Sequence, residues 1–127
     1  MKKILASLLG LLGLTSACGQ KLYDDVDVHQ FATLMADTSV VVLDVRTSSE
    51  FASGHLEGAV NIDVKKDDFL QRAKSVLPVG KTMAVYCRSG RRSANACNQL
   101  CAEGYKCVNL KGGIMAWTGD KMPIVKD

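Results

Sequence analysis

Short runs of apolar, β-branched residues alternate with amphipathic stretches along most of this 127-residue chain. The run Val40-Val41-Val42-Leu43 contains no polar residue, which is typical of a strand buried on both faces. Such strands, separated by helical stretches, form parallel sheets that helices cover. The length suits one ordinary domain, so we predict one α/β domain with a mostly parallel sheet of about five strands and helices on both faces.

The expected strands and helices follow this alternation. We predict strands at residues 23–28, 40–43, 59–62, 82–86 and 106–110, the first of them at a sheet edge. We predict helices at residues 30–36, 47–52, 67–77, 92–103 and 114–117. Thr47 and Glu50 have the spacing of a capping box, and Gly104 is placed to end the fourth helix.

The N-terminus has the pattern of an export signal. Lys2 and Lys3 precede an apolar run over residues 4–14, and small residues follow it. That run is too short to cross a bilayer as a helix, whereas a basic start, a short apolar run and small residues are typical of a signal peptide. We therefore predict that residues 1–17 are a signal peptide and that the protein is exported.

Cys18 directly follows the small residues, which resembles the end of a bacterial lipoprotein signal, where the cysteine receives the lipid. The resemblance implies a lipidated Cys18, a tether over residues 18–25 and a folded domain over 26–127. Such a protein is anchored to a membrane of the bacterial cell envelope and faces the periplasm or the outside. The alternative is simple cleavage after Ala17, which leaves Cys18 unmodified.

The charge of the mature chain indicates no nucleic-acid partner. Without Lys2 and Lys3, 14 basic residues face 13 acidic ones, a net charge of about +1. The basic residues are scattered except at Arg88, Arg91 and Arg92.

Cys87 is the candidate nucleophile, because it follows the predicted strand 82–86 and precedes a predicted helix. Ligand sites in open α/β sheets lie at the carboxyl ends of strands. The loop Cys87-Arg88-Ser89-Gly90-Arg91-Arg92 contains a glycine, which lets the backbone turn so that several N–H groups point at one side chain. We expect this loop to bind anions.

A thiolate at Cys87 requires a lowered pKa. Lowering a thiol pKa of about 8.5 by about two units takes roughly 2.7 kcal/mol. A helix dipole supplies only about 0.3–1 kcal/mol, so we expect N–H donors and Arg88, Arg91 and Arg92 to supply the rest. Cys87 is then a nucleophilic thiolate beside a site that attracts anions.

Three segments together resemble the rhodanese family over residues 25–119. Residues 43–51 continuing into 54–62 are similar to its most recognisable segment, residues 87–93 to its active loop and residues 110–117 to its closing signature. The resemblance implies the rhodanese-like three-layer fold and sulfurtransferase activity. The loop cysteine of such enzymes attacks the sulfane sulfur of thiosulfate or another donor, and the persulfide passes sulfur to cyanide or a thiol.

The resemblance assigns roles to residues of this chain. It implies that Cys87 is catalytic, without a cofactor or metal, and that the anionic donor is bound by the loop residues Arg88, Ser89, Gly90, Arg91 and Arg92, together with Arg46. Some members carry a basic residue where this chain has Ser89, which leaves the donor open. Asp44 and His55 are predicted to support the site structurally, since attack by a preformed thiolate needs no base.

Three further cysteines, Cys97, Cys101 and Cys107, fall in the predicted fold. Cys101 and Cys107 are near enough along the chain to approach each other, and the sequence leaves a disulfide, free thiols or a resolving role towards Cys87 open. A metal site is disfavoured, because no CxxC motif or nearby histidine completes a ligand set.

Two other functions compete with sulfur transfer. The first is a cysteine phosphatase on a related fold. Such enzymes have five residues between the loop cysteine and its arginine to fit phosphate. Only four residues separate Cys87 from Arg92, which disfavours a phosphatase. A non-catalytic or sulfur-carrier module that binds a partner at the membrane is the second alternative.

Overall fold

The computed structural model describes residues 21–126, which alternate strands and helices as the sequence predicts. The strands are β1 (Asp24–Val26), β2 (Val40–Asp44), β3 (Val60–Asn61), β4 (Thr82–Tyr86) and β5 (Lys106–Leu110). The helices are α1 (Val28–Met35), α2 (Ser48–Ala52), α3 (Phe69–Val76), α4 (Arg91–Ala102) and α5 (Gly113–Gly119).

The strands form one parallel sheet in the order β1-β5-β4-β2-β3. The predicted edge position of the first strand is confirmed, and β4 lies at the centre. The residue that follows β4 is therefore flanked on both sides by neighbouring strand ends.

Side chains of β4 alternate between two apolar cores, one on each face of the sheet. Met83 and Val85 face α3 and α4, with Phe69, Ala73, Ala96, Cys97 and Leu100 among the buried residues. Ala84 and Tyr86 face α1 and α5, with Phe31 and Trp117 buried there. The predicted three-layer α/β architecture is thus confirmed.

Boundaries differ mainly at short elements. β3 has only two residues. α3 begins at Phe69 rather than residue 67, because residues 64–68 form turns and the Phe69 N–H donates to the Lys66 carbonyl. The predicted signal peptide, Cys18 and residues 19–20 of the predicted tether lie outside the described residues. Among the described helices, none has the length and apolarity needed to cross a membrane.

Candidate active site

Cys87 lies at the carboxyl end of the central strand β4 and begins the loop that leads into α4. The residue is only 1 % exposed and belongs to the core beneath α4. Gly90 adopts the left-handed conformation, with φ +103°, and caps the helix. The chain therefore turns tightly around the Cys87 side chain before the helix starts.

Hydrogen-bond donors converge on the Cys87 sulfur. The Gly90 N–H donates to Sγ at 3.1 Å, and the Ser93 hydroxyl donates from the first turn of α4 at 3.4 Å. Backbone N–H groups of Ser89 and Ser93 also act on the thiol. The loop has the cradle of N–H groups that its sequence predicts, and a side-chain hydroxyl completes it.

These donors decide the ionisation of Cys87. Burial raises the pKa of the thiol, but the Ser93 hydroxyl and the N–H groups of Ser93, Gly90 and Ser89 outweigh it, so the pKa lies below its ordinary value. The arginines contribute less to the lowered pKa of Cys87 than the sequence suggests, because hydrogen bonds to the sulfur lower this pKa.

The start of α5 fixes the opposite side of the loop. The N–H groups of Ile114 and Met115 donate to the carbonyls of Cys87 and Arg88 at 2.9 and 3.1 Å. A Cβ on Gly113 would lie 2.4 Å from the Arg88 oxygen and 2.6 Å from the Cys87 oxygen. Only glycine permits this approach, which turns the loop carbonyls away from the sulfur and leaves the N–H groups facing it.

Asn109 holds a third carbonyl of the loop. Its Nδ2 donates to the Gly90 carbonyl at 3.3 Å and to Asp25 Oδ1 at 3.0 Å. The side chain thus ties the end of β5 and the strand β1 to the turn before α4.

The three arginines of the loop have different surroundings. Arg88 and Arg91 are exposed, and no ion pair among residues 21–126 engages either guanidinium. Arg92 forms a two-point pair with Glu50 at 2.8 and 2.9 Å, which lowers the pKa of that carboxyl to about 2. Arg92 thus joins α4 to α2, and its predicted contact with the donor stays a prediction.

Comparison with known proteins agrees with this geometry. Residues 27–120 match the family described as rhodanese-like domain. The chain belongs to the rhodanese-like family. A sulfurtransferase of Allochromatium vinosum is 34 % identical over 106 residues, covering 82 % of this chain and 96 % of that protein. Thiosulfate sulfurtransferase 18 of Arabidopsis thaliana is 41 % identical over 111 residues, covering 78 % and 81 %.

A solved structure supports the same assignment. The crystal structure of a rhodanese-related protein from Thermoplasma volcanium superposes with a TM-score of 0.73 at 28 % identity. The match covers 83 % of this chain and all of that one.

Arg46 and Asp44 of this rhodanese-like domain form a buried network on the opposite face of the sheet from Cys87. Arg46 Nη2 donates to Asp44 Oδ2 and to the Gly54 carbonyl, both at 2.7 Å. The Tyr86 hydroxyl donates to Asp44 Oδ2 at 2.6 Å and accepts from the Leu56 N–H at 3.0 Å. The expected substrate contact of Arg46 stays a prediction; here its guanidinium is engaged in this network, and the side chain is 6 % exposed.

His55, predicted to support the site structurally, lies in a packed environment. Its ring stacks on Phe51 with centroids 3.7 Å apart, and Nδ1 lies 2.9 Å from the Phe51 carbonyl. Its backbone pairs with Val125 near the C-terminus.

Sequence reasoning missed three contributors to the rhodanese-like site. Ser93 was recognised only as part of the loop motif, Glu50 only as a helix-capping residue and Gly113 only as part of the closing signature. A hydroxyl in the first turn of the helix after the cysteine was a usable signal for Ser93. Glu50 and Gly113 act across 42 and about 25 residues, and sequence spacing carries no sign of such contacts.

Proposed function

We propose that this protein is a sulfurtransferase that moves sulfane sulfur from thiosulfate or a similar anionic donor to cyanide or a thiol through a persulfide on Cys87. The observation that carries the proposal is the Cys87 sulfur with its lowered pKa, surrounded by backbone N–H donors and the Ser93 hydroxyl. Family membership and relatives named as sulfurtransferases support it.

In the first step the Cys87 thiolate attacks the outer sulfur of thiosulfate. An S–S bond forms to Cys87 while the bond to the oxidised sulfur breaks, and sulfite leaves with the bonding electron pair. The enzyme holds a persulfide anion, so no net charge is created. The N–H donors that stabilise the thiolate can stabilise this persulfide, since both place negative charge beside the loop.

In the second step cyanide or a thiolate attacks the terminal sulfur. The S–S bond to Cys87 breaks and the Cys87 thiolate returns, with thiocyanate or a new persulfide as product. A low thiol pKa favours this step too, because Cys87 is then the better leaving group.

Arg88 and Arg91 are the cations available to an anionic donor. Both are exposed beside the loop, and Arg92 is held by Glu50. We expect Arg88→Ala and Arg91→Ala together to raise the KM for thiosulfate more than they lower kcat, because they act mainly on binding.

Thiocyanate formation from thiosulfate and cyanide by the purified protein tests the proposal. Cys87→Ser should lower kcat by at least about 1000-fold, whereas Cys101→Ser, a matched change far from the loop, should stay within about twofold of wild type. The proposal fails if wild type and Cys87→Ser are equally inactive with thiosulfate and with polysulfide, and wild type gains no sulfur from either donor.

We also propose that the protein is exported and anchored through a lipid on Cys18. The basic start, the apolar run and the small residues before Cys18 support this location. Expression in a bacterium with a labelled fatty acid tests it. Wild type should be labelled and fractionate with membranes, and Cys18→Ser should lose both properties. An unlabelled chain that begins at an unmodified Cys18 contradicts the proposal.

A further inference from the structure

A second group of thiols lies at the far end of α4 from Cys87. Cys97 and Cys101 are one helical turn apart on the same face of α4, and Cys107 is the second residue of β5, which packs against that face. Cys97 and Cys107 belong to one buried cluster, and the partly buried Cys101 packs against it. We refer to Cys97, Cys101 and Cys107 as the thiol cluster.

The thiol cluster is separate from the candidate active site. Cys101 comes ten residues after the start of α4, which corresponds to roughly 15 Å along the helix axis. Cys101 therefore lies too far along α4 to resolve a persulfide on Cys87 while the domain is folded. Among residues 21–126 no group of three or more His, Cys, Asp or Glu is arranged to hold a metal ion.

The members of the cluster differ in access and in ionisation. Cys97 is fully buried, and its thiol also donates towards the Val108 carbonyl, so it stays protonated. Cys101 is partly exposed beneath Leu22. Hydrogen bonds from Cys97 and, more weakly, from Cys101 hold the pKa of Cys107 below its ordinary value despite burial, whereas burial and the nearby Cys107 raise that of Cys101 to about 11.

We propose that Cys101 and Cys107 are a dithiol that small-molecule disulfides convert to an intramolecular disulfide. None of the four described cysteines, Cys87 included, forms a disulfide in this structure. Cys101 is the entry point because it is the one cluster thiol that is partly exposed. Cys107 is the partner because Cys101, in the last turn of α4, packs against the buried cluster to which Cys107 of β5 belongs.

The exchange balances with one equivalent of an external disulfide. The Cys101 sulfur, as thiolate, attacks the external disulfide, which gives a mixed disulfide on Cys101 and releases one small thiol. The Cys107 thiolate then attacks the Cys101 sulfur, the mixed disulfide breaks and the second small thiol leaves. The protein loses two electrons and two protons, and the external disulfide is reduced to two thiols.

The resulting bond would connect the last turn of α4 to β5. It closes a short loop around Gly104, so it should stabilise the domain by restricting the unfolded chain. Because it lies away from Cys87, it should leave the geometry of the candidate active loop unchanged.

Peptide mapping after equilibration with oxidised glutathione tests the pairing. Trypsin cuts after Lys106 and so separates Cys107 from the peptide that carries Cys97 and Cys101, while Cys87 falls in a third peptide. We expect residues 93–106 to be linked to residues 107–111, with fragmentation locating the bond at Cys101. A Cys97→Ser variant should give the same link. Linkage at Cys97, or no linkage, overturns the proposal.

Thermal unfolding gives an independent readout. Oxidation should raise the Tm of wild type by roughly 5–15 °C, and dithiothreitol should reverse the rise. Cys101→Ser should show no rise on oxidation, and a rise of the same size in that variant contradicts the proposal. Neither readout involves sulfur transfer, so the outcome is independent of the proposed enzymatic activity.

Discussion

Ionisation of Cys87 depends on a balance between burial and a few hydrogen bonds. Burial of this residue opposes the thiolate, and the loop N–H groups and the Ser93 hydroxyl overcome that cost. The N–H donors belong to the backbone and survive any side-chain substitution. A substitution of Ser93 can therefore change the pKa of Cys87 without changing the backbone of the loop.

Ser93→Ala should raise the pKa of Cys87, because one hydrogen bond to the sulfur is lost. We expect a shift of about one unit, equivalent to roughly 1.4 kcal/mol. The thiolate absorbance of each protein, measured against pH with Cys87→Ser subtracted, gives the midpoint. Ser89→Ala is the matched control, since Ser89 acts through its N–H, and it should leave the midpoint unchanged. Equal midpoints for all three proteins would show that the Ser93 hydroxyl is unimportant.

Glu50→Gln should remove a pH-dependent part of the stability. The pKa of Glu50 is lowered from 4.5 to about 2 in the folded protein, so its ion pair stabilises the fold above pH 4.5 and the stabilisation disappears as the pH falls towards 2. Glutamine keeps the capping geometry, which isolates the charge. Because the Glu50 side chain is 31 % exposed, we expect Glu50→Gln to lower the unfolding free energy by only about 1–2 kcal/mol at neutral pH.

Urea unfolding of wild type and Glu50→Gln between pH 7 and pH 3 measures this difference. The difference between the two unfolding free energies should narrow as the pH falls from 4.5 to 3. Asp68→Asn, which removes a carboxylate from the exposed pair with Arg72, should cost less than about 0.5 kcal/mol. Parallel curves for wild type and Glu50→Gln contradict the account of this pair.

At the scale of elements, the loop is held between two helix starts. α4 directs N–H groups at the Cys87 sulfur, and α5 directs N–H groups at the carbonyls of Cys87 and Arg88. The orientation of the loop thus depends on how closely α5 approaches, which Gly113 permits.

Gly113→Ala should destabilise the domain by about 2 kcal/mol or more and should raise the pKa of Cys87. Its Cβ would meet the loop carbonyls well inside van der Waals contact, and φ is +60°. Gly119→Ala, at the other end of the same helix and with no atom within 4 Å of the added Cβ, should change stability by less than about 0.5 kcal/mol. Urea unfolding compares the two, and equal stabilities rule out a tight approach at Gly113.

Element boundaries were predictable where local chemistry defines them. β4 matches its expected range because it is a continuous apolar or β-branched run. β5 also matches, because Gly104 ends the preceding helix and Gly112 lies in the following turn. The capping box at Thr47 and the left-handed Gly104 were also correct, since both are local signals. β3 was less predictable, because its length depends on pairing with β2 rather than on its own sequence.

At the scale of the whole molecule, the Asp44 network joins β2, β4 and the segment 54–56 across one face of the sheet. Tyr86 precedes Cys87, so the network also fixes the strand end from which the loop departs. The burial of Asp44 was foreseeable from its position after an apolar strand. The donation from Tyr86, 42 residues away, was not.

Tyr86→Phe should lower the unfolding free energy by about 1–3 kcal/mol, because Asp44 loses a donor and the Leu56 N–H loses its acceptor inside the protein. Tyr23→Phe is the control, since the Tyr23 hydroxyl makes no hydrogen bond within the described part of the chain and should cost little. Urea unfolding measures both variants. A Tyr86→Phe protein as stable as wild type would mean that the network contributes nothing to folding.

The most direct test of sulfur transfer is the mass of the Cys87 peptide after a single exposure to thiosulfate without an acceptor. Residues 82–88 should gain one sulfur atom in wild type, and the gain should disappear when cyanide is added, as thiocyanate forms. Ser93→Ala should acquire the sulfur more slowly at neutral pH. Sulfur found only on Cys97, Cys101 or Cys107, or absent from every peptide with all sulfane donors, would contradict the central claim.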